Sequence, residues 1–150
     1  MNSPFLERIE YDGQLLALIL RRHFRAEGTH FVTPDDFTQQ LGYIRHPRGH
    51  TIAPHLHTTA ARSVMDTQEV LVILRGRLRV DFYSATREYC ESRELFPFDV
   101  VLLAAGGHGF ETLEAIEMIE IKQGPFLGGA DTTRFEPVAP DLIVLRGEGT

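Results

Sequence analysis

Cysteine and basic residues are scarce in this 150-residue chain. Cys90 is the only cysteine, so no intrachain disulfide can form, and a reducing, cytoplasmic setting is expected. The 15 lysine and arginine residues are outnumbered by 21 aspartate and glutamate residues, which leaves a net charge of -6. Because phosphate backbones repel a chain of this sign, nucleic acid is not an expected partner.

Long hydrophobic runs are also absent. The apolar segment Leu15–Leu20 is far shorter than the roughly 20 residues that span a bilayer. The first residues lack the basic region and the apolar stretch of an export signal. We therefore expect no membrane role and no export. The 43% of apolar residues suffices for the core of one domain over residues 1–150.

Helical periodicity is the third feature that is missing. Apolar runs of strand length recur instead between glycine, proline, asparagine and aspartate, which predicts an all-β domain. A tail over residues 134–150 is rich in proline and glycine, and its piece Leu142–Leu145 is either an edge strand or disordered. The predicted strands are Gln14–His23 and Gln40–Arg45 in the N-terminal part (residues 14–45), then Thr51–His57, Glu69–Arg75, Arg77–Tyr83, Val100–Ala104 and Glu117–Lys122.

Two neighbouring predicted strands, Glu69–Arg75 and Arg77–Tyr83, are separated by Gly76 alone, which predicts a hairpin. The first is apolar on both faces and is expected to lie centrally in its sheet. The second alternates apolar with charged residues, so one of its faces should be buried and the other wet.

Four side chains suggest a metal site. His55 and His57 stand two residues apart, and such positions share one face of a strand. Glu69 opens the most apolar strand, where an inward carboxylate needs a cation or another partner. His108 follows an apolar run and is flanked by glycines that let the backbone turn tightly. Such a nitrogen and oxygen set suits one divalent ion of Fe, Mn, Ni, Co, Cu or Zn. The alternative is that the His-x-His pair is coincidental.

The spacing of these residues resembles the two sequence motifs of the cupin superfamily. Five residues stand between Gly49 and His55, and six stand between Glu69 and Gly76, as in the first motif. The segment from Phe98 through Leu103 to His108-Gly109-Phe110 is similar to the second motif, although Ala104 replaces its usual proline, its glycine-to-histidine gap is one residue shorter, and Thr112 stands in place of the usual asparagine. Together the motifs cover about residues 40–123.

The resemblance implies an antiparallel double-stranded β-barrel of the cupin or jelly-roll type. It further implies that His55, His57, Glu69 and His108 hold the metal inside one mouth of the barrel and that the protein is a homodimer. The stretch Thr58–Gln68 is longer than the usual spacer in the first motif, so we expect it to loop over the cavity mouth.

Several further residues are candidates for a role at this mouth. Arg45, Arg48 and Arg62 are candidate binding residues for an anionic substrate, with a solvated loop as the alternative reading. Tyr43 and Tyr83 are candidate catalytic proton donors, with ordinary strand packing as the alternative, and Arg62 is also a catalytic candidate.

Two classes of function remain open, because fold alone does not decide function. One is a metal-dependent enzyme that acts on a small polar metabolite, as a sugar or sugar-nucleotide isomerase or epimerase or as a dioxygenase. The other is a non-catalytic module that binds a metal or a small molecule.

Overall fold

A computed structural model describes residues 3–125 and 127–147. Within them the regular structure is β apart from one 3-10 helix, Pro140–Leu142, and there is no α-helix. No helix in this part of the chain is long and apolar enough to cross a membrane. The strands are β1 Leu6–Tyr11, β2 Gln14–Leu20, β3 Gly28–Phe31, β4 Gly42–Arg45, β5 Glu69–Arg75, β6 Leu78–Tyr83, β7 Tyr89–Leu95, β8 Val100–Leu103, β9 Gly107–Thr112 and β10 Glu117–Lys122.

The chain divides into two compact units. The smaller unit is Arg25–Met65 and contains β3 and β4, and the larger unit consists of the described parts of Asn2–Phe24 and Asp66–Thr150. Within the larger unit, a five-stranded sheet has the order β1-β2-β8-β5-β10 and a three-stranded sheet has the order β7-β6-β9. Every ladder in both sheets is antiparallel.

The hydrophobic core of the larger unit lies between its two sheets. The five-stranded sheet contributes Ile19, Leu71 and Ile73, and the three-stranded sheet contributes Val80 and Phe82. Each is at most 1% exposed, and burial of one such side chain contributes about 1.5–3 kcal/mol. Because alternate residues of a strand point to opposite faces, these positions show which face of β5 and which face of β6 pack against the core.

The all-β antiparallel class is confirmed, and so are most of the predicted strands. β5 and β10 have the predicted bounds, and β5 lies between β8 and β10, as expected for a strand that is apolar on both faces. β2, β4, β6 and β8 overlap their predictions and differ by one to three residues at an end. β1, β3, β7 and β9 were not predicted, because their sequences are short, rich in glycine or strongly charged.

The predicted hairpin at Gly76 is wrong. β5 pairs with β8 and β10, whereas β6 pairs with β7 and β9, so the chain crosses from one sheet to the other at this glycine. Gly76 has a φ of +85°, and a Cβ atom at this position would lie 2.0 Å from the carbonyl oxygen of Ala115. Only glycine satisfies both the left-handed backbone and this close approach.

The predicted strand Thr51–His57 is also wrong: residues 46–65 of the smaller unit contain no strand. Pro47 and Pro54 remove backbone donors that a ladder needs, and Gly49 has a φ of +87°. No closed barrel is detected among residues 3–125 and 127–147, where β10 and β9 are edge strands of their sheets. The antiparallel double-stranded β-barrel of the cupin or jelly-roll type is therefore not confirmed beyond its all-β, antiparallel class.

The smaller unit is built on one antiparallel hairpin, in which Gly28 of β3 is opposite Arg45 of β4. The connecting loop is held by Gln40. Its side-chain Nε2 donates hydrogen bonds of 2.9 Å to the carbonyl oxygens of Pro34 and Phe37, and its Oε1 accepts one of 2.7 Å from Thr33. The side-chain amide of Gln40 thus provides hydrogen-bond partners for two backbone carbonyls and one hydroxyl of the loop.

The C-terminal tail covers the outer face of β6 and β7 in the larger unit. Ser92 N donates to the carbonyl oxygen of Val144, and Arg146 N donates to that of Ser92, so the Leu142–Leu145 piece forms one parallel bridge, Ser92 with Leu145, rather than a full edge strand. The tail explains why Asp81 is only 4% exposed on the face of β6 that was expected to be wet. Residues 148–150 of the tail lie outside the described residues.

Candidate functional site

Glu69 and His108 meet in the gap between the two sheets of the larger unit. Glu69 alternates with Leu71 along β5 and therefore points toward the core. His108 of β9 is directly opposite Phe82 of β6, and paired residues of neighbouring strands point to the same side. Nε2 of His108 lies 3.2 Å from Oε2 of Glu69.

The surroundings of Glu69 favour its charged form. The hydrogen bond from His108 lowers the pKa of the Glu69 carboxyl, burial opposes this, and the charges of His108 and Lys122 add to the lowering. Its side chain is only 16% exposed. Glu69 is therefore an anionic oxygen donor at neutral pH, held against an imidazole nitrogen.

Lys122 is a member of this cluster that the sequence patterns did not indicate. It is directly opposite Glu69 in the β5–β10 ladder, and its Nζ lies 3.8 Å from Oε1 of Glu69. The two residues are 53 positions apart in the sequence (122 minus 69), so only the register of the sheet brings them together. One signal was available, since Lys122 is the only lysine of the chain.

His55 and His57 lie together in the smaller unit, on the segment without strands. Both are exposed, and their ring centroids are 5.2 Å apart at an interplanar angle of 74°. Nδ1 of His55 lies 3.0 Å from the carbonyl oxygen of Ala53. A proton on Nδ1 that is donated to this carbonyl leaves Nε2 with a free lone pair, which is the arrangement of most metal-binding histidines.

The four predicted ligands thus occur as two pairs, one in each unit. Among the described residues, no group of three or more histidine, cysteine, aspartate or glutamate residues is placed to hold a metal ion. Within each pair the chemistry fits a metal. The 3.2 Å between the two donor atoms of Glu69 and His108 is compatible with neighbouring ligands of one ion at bond lengths of about 2.0–2.2 Å.

The candidate substrate-binding arginines all lie in the smaller unit. Arg45 forms an ion pair of 3.1 Å with Glu27, in which both side chains are at least half exposed. Arg48 is exposed and follows β4. Arg62 lines a pocket of about 560 Å³ within the same unit, together with Asp35, Asp36, Phe37, Thr38, Gln40 and Ser63.

The two candidate tyrosines lie in different units. Tyr43 is on β4 of the smaller unit, opposite His30. Tyr83 ends β6 on the face that the C-terminal tail covers, where its hydroxyl accepts a hydrogen bond of 3.0 Å from Val138 N and its ring contacts Phe135. Burial raises the pKa of Tyr83. Tyr83 therefore points away from the gap that holds Glu69 and His108.

Comparison of the chain with protein-family models, with curated proteins and with solved structures gave no match. The resemblance to cupins consequently depends on the motif residues of this sequence.

Proposed function

We propose that the protein is a metal-binding cupin, in which His55, His57, Glu69 and His108 hold one divalent transition-metal ion. The observation that carries the proposal is the contact between Glu69 and His108. The motif spacing singled out these two residues although they are 39 positions apart (108 minus 69), and they come from different sheets to meet at 3.2 Å.

Donor chemistry supports the same proposal. Glu69 supplies a carboxylate whose pKa is lowered and whose partial burial needs a cationic partner. His55 presents Nε2 when its Nδ1 proton is donated to the carbonyl oxygen of Ala53. A mixed set of imidazole nitrogens and one carboxylate oxygen suits Fe, Mn, Ni, Co, Cu or Zn.

The proposed activity is that of a metal-dependent enzyme on a small polar metabolite, such as a sugar or a sugar nucleotide. The ion, when bound, supplies Lewis-acid chemistry for an isomerisation or epimerisation, or the centre of a dioxygen reaction if it is iron. The residues of the chain hold it, and Glu69 balances one of its two positive charges. The homodimer implied by the cupin resemblance stays a prediction.

A non-catalytic metal-binding module is the second candidate. It is favoured by the contacts that Glu69 makes with both His108 and Lys122, since these already join β5, β9 and β10 without any reaction. The two candidates differ in the coordination of the bound ion. In the enzyme the ion keeps open coordination positions for water or substrate, and in the module it does not.

Elemental analysis of the purified and metal-reconstituted protein tests the proposal. We expect about one ion per chain in the wild type and in the control His30→Ala, and a large loss in His55→Ala and Glu69→Ala. A wild type without stoichiometric metal after reconstitution contradicts the proposal. Water proton relaxation of the Mn²⁺-loaded protein then separates the candidates, because an exchangeable bound water indicates an enzyme and its absence indicates the module.

A further inference from the structure

One edge of the five-stranded sheet carries exposed apolar side chains. Among the described residues β10 pairs with β5 alone, so its other side is an edge of the sheet. Met118 packs against the core, and the alternating residues Ile119 and Ile121 point to the opposite face, where they are 48% and 52% exposed. Their register partners on that face of β5 are Val72 and Val70. An edge of this kind is a template for pairing with a further strand unless it is blocked.

The other edge of the same sheet is blocked. In β1 the register shifts between Ile9 and Glu10, and Arg8 forms an exposed ion pair of 2.8 Å with Glu10. Bulges and charges of this kind keep other strands away from an edge. In β10 the shift lies between Glu117 and Met118, at the start of the strand, and the pairing with β5 is regular from Met118 onward. The free side of β10 is therefore the open edge of this sheet.

The backbone groups on the free side of β10 follow from its ladder with β5. Gln123 N donates a hydrogen bond of 3.3 Å to the carbonyl oxygen of Gln68. The hydrogen-bonding groups of an antiparallel strand alternate between its two sides, so Ile121, two residues earlier, also directs its N–H and C=O toward β5. The N–H and C=O groups of Glu120 and Lys122 then point to the free side, where a further strand can bond to them.

The charges of β10 are complementary to those of a second copy of the same strand. In antiparallel pairing about a two-fold axis at Ile121, Glu120 of each copy is directly opposite Lys122 of the other copy. Two pairs of opposite charge form, at the positions whose backbone groups are free. An axis at Glu120 instead places this residue opposite itself, which is unfavourable, and an axis at Ile119 places Glu120 opposite Met118. Charge therefore selects the register about Ile121.

The same register joins the apolar faces of the two copies. Because the axis is perpendicular to the sheet, corresponding faces lie on the same side, and Ile121 of one copy is adjacent to Ile121 of the other. Within one chain this residue ends a row that runs through Val70 to Leu102. Leu102 is fully buried and Val70 is 5% exposed, whereas Ile121 at the edge is 52% exposed. Pairing covers the edge side of this row, which favours association.

We propose that β10 is a dimerisation strand, which pairs with β10 of a second copy of this chain in antiparallel register about Ile121. The two five-stranded sheets then form one sheet of ten strands. The partner is a second copy because the strand supplies both charges of each pair, Glu120 and Lys122. The proposal involves no metal ion, so it stands or falls independently of the proposed function.

Disulfide crosslinking tests the register. The background is Cys90→Ser, which removes the only cysteine. Ile121→Cys places two cysteines opposite each other at a pair without mutual hydrogen bonds, where the Cα atoms are about 4.5 Å apart, within disulfide range. Ile119→Cys is the matched control, on the same face and similarly exposed. Its two copies are displaced by four residues along the strands, or about 14 Å. We expect a covalent dimer for Ile121→Cys on mild oxidation and none for Ile119→Cys.

Sedimentation equilibrium tests the charge pairs without a crosslink. The proteins are the wild type, Glu120→Lys, and the control Glu10→Lys, which makes the same change on the other edge strand of the sheet. Circular dichroism checks that each is folded. We expect a dimeric wild type, a dimer dissociation constant raised at least about tenfold in Glu120→Lys, and one within about threefold of wild type in Glu10→Lys.

Each outcome decides for or against the proposal. A wild type that stays monomeric overturns it. A dimeric wild type without the crosslink at Ile121→Cys also overturns it, because the copies then associate through another surface. A crosslink at Ile119→Cys in place of Ile121→Cys contradicts the register. A dimer that Glu120→Lys does not weaken, or that Glu10→Lys weakens as much, contradicts the charge pairs between Glu120 and Lys122.

Discussion

His108 Nε2 lies 3.2 Å from Glu69 Oε2, and this contact joins β9 of the three-stranded sheet to β5 of the five-stranded sheet. Both side chains point into the gap between the sheets, where the apolar core is continuous a few residues further along each strand. The polar pair therefore lies at one end of the core, where the side chain of His108 is 30% exposed and that of Glu69 is 16% exposed.

Removal of Asp99 should destabilise the larger unit strongly. Asp99 is fully buried, and it accepts hydrogen bonds from Arg21 Nη1 at 2.9 Å, Arg22 N at 2.8 Å and Phe96 N at 3.0 Å. Asp99→Ala leaves the buried guanidinium of Arg21 without one of its carboxylates, so we expect a loss of about 3–5 kcal/mol in the free energy of unfolding in urea.

Glu10→Ala is the control for Asp99→Ala. Its ion pair with Arg8 has a similar length of 2.8 Å, but both side chains are 48% exposed, so its loss should cost less than about 1 kcal/mol. Equal effects of the two variants would contradict the assigned role of Asp99.

Acid should weaken the contribution of Glu7 to the free energy of unfolding. Burial alone raises the pKa of Glu7, but hydrogen bonds from Arg21 and Arg93 and their charges outweigh it and hold the pKa below its ordinary value of 4.5. A lowered pKa in the folded state means that the stability from this group is complete above pH 4.5 and is lost as the pH falls below it.

The check is the unfolding free energy of the wild type and of Glu7→Gln as a function of pH. The difference between them should be constant between about pH 6 and 7 and should shrink on acidification below about pH 4.5. A difference that grows on acidification would show that the arginines do not stabilise the Glu7 carboxylate.

Alanine at Gly76 should be far more costly than alanine at another glycine of positive φ. At Gly76 a Cβ meets the carbonyl of Ala115 at 2.0 Å, whereas at Gly13, with a φ of +77°, it meets nothing within 4 Å. Gly13→Ala should cost about 1 kcal/mol of backbone strain, and Gly76→Ala should cost at least about 3 kcal/mol, measured by thermal or urea unfolding. Similar costs would mean that the crossover at Gly76 does not need the close approach.

Tyr83→Phe should affect stability and leave metal binding unchanged. The hydroxyl of Tyr83 accepts a hydrogen bond from Val138 N at 3.0 Å, on the face of β6 that the tail covers. Its removal should cost about 1 kcal/mol, because the Val138 N–H loses its acceptor. Metal content is measured in the same samples, and a loss of metal in Tyr83→Phe would place this side chain in the metal centre.

The local pattern of apolar and polar residues predicted best the strands in which that pattern is uniform from end to end. β5 is apolar throughout and β10 is bounded by charged ends, and both were predicted with their observed bounds. β9 was missed because Gly107 and Gly109 give it low strand propensity, and its pairing with β6 is what makes it a strand. Thr51–His57 was predicted from its alternation, but Pro54 lacks a backbone donor and the described residues provide no ladder for the segment.

The candidate site was predictable only in part, for a similar reason. Motif spacing singled out Glu69 and His108, which do meet, but it contains no information about which strands pair. Lys122 lies beside Glu69 because the two residues are opposite each other in the β5–β10 ladder. Tyr83 lies outside the cluster because it is on the other face of β6, which the tail covers. Both facts are non-local, and neither can be read from a single segment of the chain.

The most direct measurement is a comparison of Zn²⁺ affinity and stoichiometry among four proteins. These are the wild type, the pair variant His55→Ala/His57→Ala, the pair variant Glu69→Gln/His108→Ala, and the protein with all four substitutions. If both pairs hold one ion, the wild type binds one Zn²⁺ per chain, and each pair variant loses nearly as much affinity as the fourfold variant, so the losses are far from additive. Additive losses, or two ions per chain that the two pair variants remove separately, would contradict a single metal centre.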